Sequence, residues 1–379
     1  MKRPGFSLPA VAMLAMAASA GAAPVALTAP GTTTHVHQIA VMADGKLCIV
    51  GKTMGTQPGE GSRGTLLVFD VAANRVAWER RIEAPPGYRD LDFAACQGDG
   101  HAVHVGAEAT PAGKGSTKHV VAWAYRFDAD GKLAASRELD TGVPYAFVYA
   151  VDADAGGMTV AGSATDVKDR VASNGIFFAH LDPALRDASI AKLANGAFGR
   201  GSAARLSGNT LYIAGNFEPA SDAAMREADD YAVSKIVGGK YRFSVRPMPI
   251  RSDRIARTVS AANELVSMGD QEGSTRLVVI GADGKPRENL QVKGPFCRTR
   301  TIAASADTVY AIRTECKANG TPAVLTAIDR KTGAELVVSG ITGEPGYLFA
   351  LPSAVVVISW KSDRTLLLQT VPKGGDPDA

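Results

Sequence analysis

Two histidines one residue apart, His35 and His37, and two aspartates with the same spacing, Asp90 and Asp92, come nearest in this sequence to a chemical site. Side chains two apart on an extended strand share a face, so each pair would project together. Imidazole nitrogens joined by carboxylate oxygens are a donor set for a divalent metal. Polar residues at the start of a strand account for the same pattern without any metal. Apart from such an ion, no cofactor is expected. Arginines recur at corresponding places, Arg89, Arg200, Arg254, Arg257, Arg298 and Arg300. Facing a common channel they would grip an anion or a carboxylate; paired with Asp90, Asp92 and Asp253 they would be ordinary surface ion pairs. Arg89, Arg254, Arg257, Arg298 and Arg300, with Tyr347, are the residues expected on a ligand or partner rim. Tyr145 and Phe147 are the further aromatics that a glycan or small-ligand site would use, or else they belong to the core. The acids Glu218, Asp222, Glu227, Asp229, Asp230, Asp270 and Glu272 lack the ordered spacing of a calcium loop and read as a solvated rim. No GxSxG, HExxH or phosphate-cradling glycine loop occurs, and no nucleophile stands out.

The elements that must position these residues repeat. An alternating strand, a tight turn and a small apolar strand ending at glycine run from Gln38 to Gly51. The unit returns at Asp92–Gly106, Val148–Gly162, Ala203–Gly215 and Ala256–Gly269, and more weakly at Thr301–Arg313 and Leu348–Ser359. Each is followed by a second pair of strands, such as Leu66–Asp70 and Trp123–Asp128, closed by hairpin chemistry: Asp-Gly at 130–131 and 283–284, Gly-Gly at 238–239. Four strands plus loops at this spacing make a propeller blade. The expectation is an all-β, seven-bladed β-propeller. Its last blade would be closed by the N-terminal strand Val25–Thr28, which covers an otherwise open edge. The connections between second and third strands are long in blades 1–4 (52–63, 107–119, 163–174 and 216–229) and short in the rest. Long loops on one face of a rigid scaffold are where binding usually resides.

Lys2 and Arg3, an apolar run from Leu8 to Ala18 and a small-residue stretch to Ala23 follow the order of a secretory leader. The expected organisation is a signal peptide over 1–22, a single propeller domain over 24–372 and a disordered tail over 373–379, in a periplasmic or secreted protein. Four cysteines then fall in an oxidising compartment. Cys297 and Cys316 flank a hairpin turning at Ala306-Asp307 and are expected to face each other as a disulfide; Cys48 and Cys96 lie in adjacent units and could join two blades. The net charge of +3 is small and the basic residues are dispersed, so neither nucleic acid nor a membrane is an expected partner. A monomer is expected.

The second halves of the units resemble the quinoprotein-like propeller repeat, Ala-x-Asp-x-x-Thr-Gly-x-Glu-x-Trp. Blade 6 reads Ala327, Asp329, Thr332, Gly333 and Glu335 at the named positions, with Val337 in place of the tryptophan; blade 1 keeps Asp70 and Trp78. The quinone-dependent dehydrogenases of that superfamily have eight blades, a tryptophan in nearly every blade and adjacent cysteines. With seven units, three tryptophans and no Cys-Cys pair, the resemblance implies a non-catalytic member. The function expected is a binding scaffold for a protein or peptide of the cell envelope, held by the long loops of blades 1–4. The alternative is a metal-dependent hydrolase or lyase at the central channel, built on His35, His37, Asp90 and Asp92.

Overall fold

The computed structural model describes residues 23–373 apart from 30–32, 58, 114–115, 155, 169–170, 187, 194–195, 200–202, 219–230, 249–258, 262–263, 272–273 and 316–321. Residues 1–22 and 374–379, where the signal peptide and most of the tail are expected, lie outside the described residues. So do the acidic stretch 219–230, Glu272 and the arginines Arg200, Arg254 and Arg257.

After a short strand β1 (Val25–Ala26) the chain builds seven sheets in sequence order, each an antiparallel meander. Blade 1 is β2 (Thr34–Val41), β3 (Leu47–Thr53), β4 (Arg63–Asp70) and β5 (Arg75–Ile82). Blade 2 is β6 (Tyr88–Gly98), β7 (Ala102–Pro111), β8 (Val121–Asp128) and β9 (Leu133–Glu138). Blade 3 is β10 (Tyr145–Asp154), β11 (Gly157–Lys168), β12 (Val171–Leu181) and β13 (Ala188–Leu193). Blade 4 splits its inner strand into β14 (Ala197–Phe198) and β15 (Ala203–Ser207), followed by β16 (Thr210–Glu218), β17 (Tyr231–Val237) and β18 (Lys240–Val245). Blade 5 is β19 (Val259–Ala261), β20 (Glu264–Gln271), β21 (Ser274–Ile280) and β22 (Pro286–Val292). Blade 6 is β23 (Phe296–Ala304), β24 (Thr308–Glu315), β25 (Val324–Asp329) and β26 (Glu335–Gly340). Blade 7 is β27 (Glu344–Ala350), β28 (Ala354–Trp360) and β29 (Leu366–Pro372). The fold is the expected all-β, seven-bladed propeller, and β1 is the fourth strand of blade 7. Val25 pairs with Leu368 and Ala26 with Leu367.

Burial explains the sequence pattern of each blade. The second and third strands are apolar without alternation, as in Leu47–Val50 and Leu66–Phe69, because both of their faces meet a neighbouring blade. The outer strand alternates, as Arg75–Ile82 does, because one face meets water. The apolar side chains gather into seven clusters among the described residues, one at each blade-to-blade interface. The ring is completed by Ile49, Leu67 and Phe69 of blade 1 packing on Val356, Ile358 and Leu368 of blade 7.

The glycines that mark the repeat have a local cause. Inner strands β2, β6 and β10 each carry a bulge, at His37, Ala94 and Tyr149, and the facing residues of the second strands are Gly51, Gly106 and Gly162. A Cβ at Gly51 would land on the His35 carbonyl oxygen, and one at Gly162 on that of Phe147. The bulge bends the inner strand and re-aims its side chains at the channel.

Two details differ from the sequence reading. The stretch 163–174 is a protruding hairpin rather than a loop, with pairing out to Lys168 and Val171. In blade 6, bulges in β23 at Cys297 and Arg300 shift the register, so Glu315 faces Phe296 and not Arg298. Counting outward from the turn missed this, because each bulge adds one residue to one strand only. Cys316 lies outside the described residues, and with it the proposed Cys297–Cys316 bond.

Candidate functional site

Each inner strand starts at the face that carries the second-to-third strand connections and runs down the channel. Its first residues therefore form the channel mouth. The channel holds a cavity of about 570 Å³, within the range of ligand pockets. At the mouth its wall includes His37, Asp92, Glu108, Phe147 and Tyr347; farther along come Ile39, Ala94, Ala150, Ile302, Leu348 and Phe349.

The best-organised group is a trio at the junction of blades 1 and 2. Asp92, 5 % exposed, sits in β6. Its Oδ1 lies 2.8 Å from His37 Nε2 on β2, and its Oδ2 accepts a hydrogen bond of 3.0 Å from Lys52 Nζ on β3. Burial pushes the Asp92 carboxyl up, but the hydrogen bond and charge of His37, together with Lys52, outweigh it and hold the group below the usual carboxylate range. His35 shares the exposed face of β2 with His37, and its main chain pairs with Lys52. Burial first, then the charges of Lys52 and His37, push its imidazole below the ordinary histidine value, with Asp92 pulling the other way. Glu108 on β7 faces Asp92 across the strand pair, and its Oε1 accepts the Val148 N–H at 3.0 Å, tying blade 2 to blade 3. Chemically the trio is a buried carboxylate that orients an imidazole and an ammonium beside an open cavity.

The sequence-derived sites are partly brought together. His37 and Asp92 meet; Asp90 turns aside, its Oδ1 accepting the Ser62 N–H at 3.0 Å and its Oδ2 pairing with Arg89 at 2.8 Å. Among the described residues no three His, Cys, Asp or Glu side chains form a metal-holding group. Arg89, Arg298 and Arg300 do not line the cavity; all three are exposed, and Arg300 lies 3.7 Å from Glu344. Arg205 of β15 does line it. Tyr347 is at the mouth, its hydroxyl donating to the Val36 carbonyl, and Phe147 joins it, whereas Tyr145 stacks on His119. Asp270 is structural, accepting from Thr275 and from the Thr299 N–H of blade 6. Lys52 and Glu108 went unnoticed in the sequence, although each follows a repeat glycine by one or two residues, a place that the register puts beside the mouth.

Cys48 and Cys96 are joined by a disulfide, with Cα atoms 6.4 Å apart, linking β3 to β6 beneath the trio. Gln38 reinforces the junction by accepting the Cys96 N–H at 2.7 Å.

No family model and no curated protein matches the chain. Similar solved structures include an ulvan lyase of a polysaccharide lyase family, 10% identical, with a TM-score of 0.52 over 93% of this chain and 97% of that one. The β-propeller domain of the Trilobed protease from Pyrococcus furiosus is 10% identical, with a TM-score of 0.49 over 90% and 94%. An acylaminoacyl peptidase from Pyrococcus horikoshii is 8% identical, with a TM-score of 0.49 over 89% of this chain. The chain spans 50% of that peptidase and 47% of a prolyl endopeptidase that it also resembles. At such identities the likeness is one of fold.

Proposed function

We propose that this protein is a non-catalytic binding scaffold, exported to the periplasm or beyond, that holds a protein or peptide partner on the face around the channel mouth. The observation that carries the reading is the placement of the long second-to-third strand connections. Those of blades 1 and 2 and the hairpin of blade 3 rise on the same face as the open mouth, on a scaffold packed at every blade interface. The Cys48–Cys96 disulfide supports an oxidising compartment. Neither nucleic acid nor membrane insertion belongs to this reading, in which the protein acts as a monomer and as a non-catalytic relative of quinoprotein-like propellers.

The test is affinity capture from the cell envelope with the parent protein and with a variant whose blade 3 hairpin, residues 164–173, is cut to a two-residue turn. A partner held by the parent and released by the variant supports the reading; equal capture by both would move the site off this face.

A second reading, a hydrolase or lyase in the channel, is favoured by the His37–Asp92 pair, since an imidazole fixed by a buried carboxylate is the usual form of a general base. Of the candidate ligands His35, His37, Asp90 and Asp92 only His37 and Asp92 meet, and no three such side chains among the described residues form a metal-holding group, so a divalent ion in this reading would rest on that pair. Metal analysis of the purified protein separates the readings, because a stoichiometric ion belongs to the second.

A further inference from the structure

We infer that the channel mouth between blades 1 and 2 is a receptor for the C-terminal carboxylate of a peptide, gripped by Lys52 and His37, with the last side chain entering the channel. The inference rests on the binding-scaffold reading and names the chemistry of its partner.

Asp92 is a single carboxylate shared by two nitrogen donors, His37 at 2.8 Å and Lys52 at 3.0 Å. It can neutralise one positive charge and accepts one of the three N–H bonds of the ammonium. His35 stands on the same face of β2, so among the described residues three groups able to carry positive charge stand near Asp92, with Glu108 beside it across the strand pair. Burial is the first cause that lowers the His35 imidazole; Lys52 and His37 add to it, and Asp92 opposes them. The neighbouring acid, Glu108, has one oxygen engaged by the Val148 N–H, and Asp90 is turned towards Ser62 and Arg89. Lys52 and His37 keep 24 % and 34 % of their side chains exposed, so a second carboxylate can approach them from the side opposite Asp92. Such a bond is charge-assisted.

The walls state the rest of the ligand. Ile39 lies two residues farther down the channel than His37, and Ala94 two residues farther than Asp92. Ala150, Leu348 and Phe349 continue an apolar strip of the wall, with Phe147 and Tyr347 at the level of the mouth, while Gln97, Asp152, Arg205 and Thr301 line other parts of it. A C-terminal residue carries its carboxylate and its side chain on one Cα. It can leave the charge at the mouth while an apolar side chain descends. An internal aspartate or glutamate spends its own side chain on the carboxylate, so the same residue has no apolar group to place there.

The experiment passes a randomised tetrapeptide pool with free C-terminal carboxylates, and the same pool C-terminally amidated, over the immobilised mature protein. Retained peptides are read by mass spectrometry and the best of them titrated. The expected result is retention of acids ending in an apolar residue, with their amides bound roughly 10-fold or more weakly. Lys52→Met should cost the acid a similar factor and leave the amide unchanged, and Lys52→Arg should restore most of the affinity. Circular dichroism checks folding; if Lys52→Met does not fold, His37→Gln takes its place. Equal binding of acid and amide, retention of neither, or indifference to these variants would overturn the inference. A sugar acid such as glucuronate displacing the peptides with higher affinity would assign the carboxylate grip to a saccharide and overturn the peptide. A captured partner that depends on the blade 3 hairpin but not on Lys52 would leave the scaffold reading standing and remove this inference alone.

Discussion

At the residue scale, pH sensitivity follows from buried titratable groups. His104 of β7 is 3 % exposed. Burial pushes its imidazole below the ordinary histidine value, Arg126 adds to this, and Asp99 opposes it. The unfolded chain therefore takes up a proton near pH 6.5 that the folded chain resists. Its contribution to stability is complete above that pH and falls as the pH drops below it; His35 acts in the same sense. The urea midpoint should fall between pH 7.5 and pH 5.5, and His104→Gln should flatten part of that fall; an unaltered slope would assign it to other groups. Asp92 behaves oppositely in range. Its depressed carboxyl stabilises the fold above about pH 4, and the contribution is lost as acidification protonates it. Arg313 is a costly side chain to remove. It is fully buried, donates to Glu335 at 3.0 Å, to the Phe296 carbonyl at 2.6 Å and to Thr275, and so ties blade 6 to blade 5. Arg313→Ala strands Glu335, whose side chain is 1 % exposed, and should cost roughly 3–5 kcal/mol in chemical denaturation.

At the element scale, blades are locked by the outer strand of one seating on the third-to-fourth strand turn of the next. Trp78 of β5 donates from Nε1 to the Ala129 carbonyl at 2.9 Å, and Arg80 donates to the Gly131 carbonyl at 2.8 Å. A Cβ on Gly131, whose φ is +78°, would sit 2.7 Å from the Trp78 ring. The same seat recurs with Phe243 over Gly284. This gives the Asp-x-x-Thr-Gly turn of blade 6 a physical meaning. Asp329 Oδ1 accepts from the Thr332 N–H and hydroxyl at 2.7 Å each, folding the turn so that Gly333 lies against β22. Gly131→Ala should therefore cost about 2 kcal/mol, from both left-handed backbone and ring overlap. Gly100→Ala, with φ +89° and open space around it, should cost only the backbone part. Equal losses in thermal denaturation would show that the Trp78 seat contributes nothing.

At the scale of the molecule, closure of the ring is non-local. Besides the β1–β29 pairing, Leu27 N–H donates to the Leu366 carbonyl at 2.8 Å, and Leu27 enters the core between blades 7 and 1. Deleting residues 24–30 should lower the melting temperature sharply and promote association through the bared edge of β29; an unchanged melt would refute the closure. The Cys48–Cys96 bond acts on the same scale. It closes a loop of 48 residues, and in the chain-entropy account such a loop adds about 4 kcal/mol. Cys48→Ala with Cys96→Ala should lower the denaturation midpoint accordingly, and a reductant should do to the parent what the double substitution does.

The sequence by itself determined the architecture. Blade length, turn chemistry and two-sided apolar strands are local properties, repeated seven times, and each copy tolerates errors in the others. Gly51, Gly106 and Gly162, which end the repeat unit in the sequence, face the inner-strand bulges, a role that only the structure shows. The tertiary structure decided which of the polar strand starts became a site. His35, His37, Asp90 and Asp92 looked alike in the sequence, yet only His37 and Asp92 meet. The twist between neighbouring blades and the bulge at His37 set their directions, and Lys52 joins them from a third strand. Blade-to-blade packing is fixed by contacts between residues about forty positions apart, as between Lys52 and Asp92 or Glu108 and Val148, and no local pattern in one strand records which way the side chains of the next blade point.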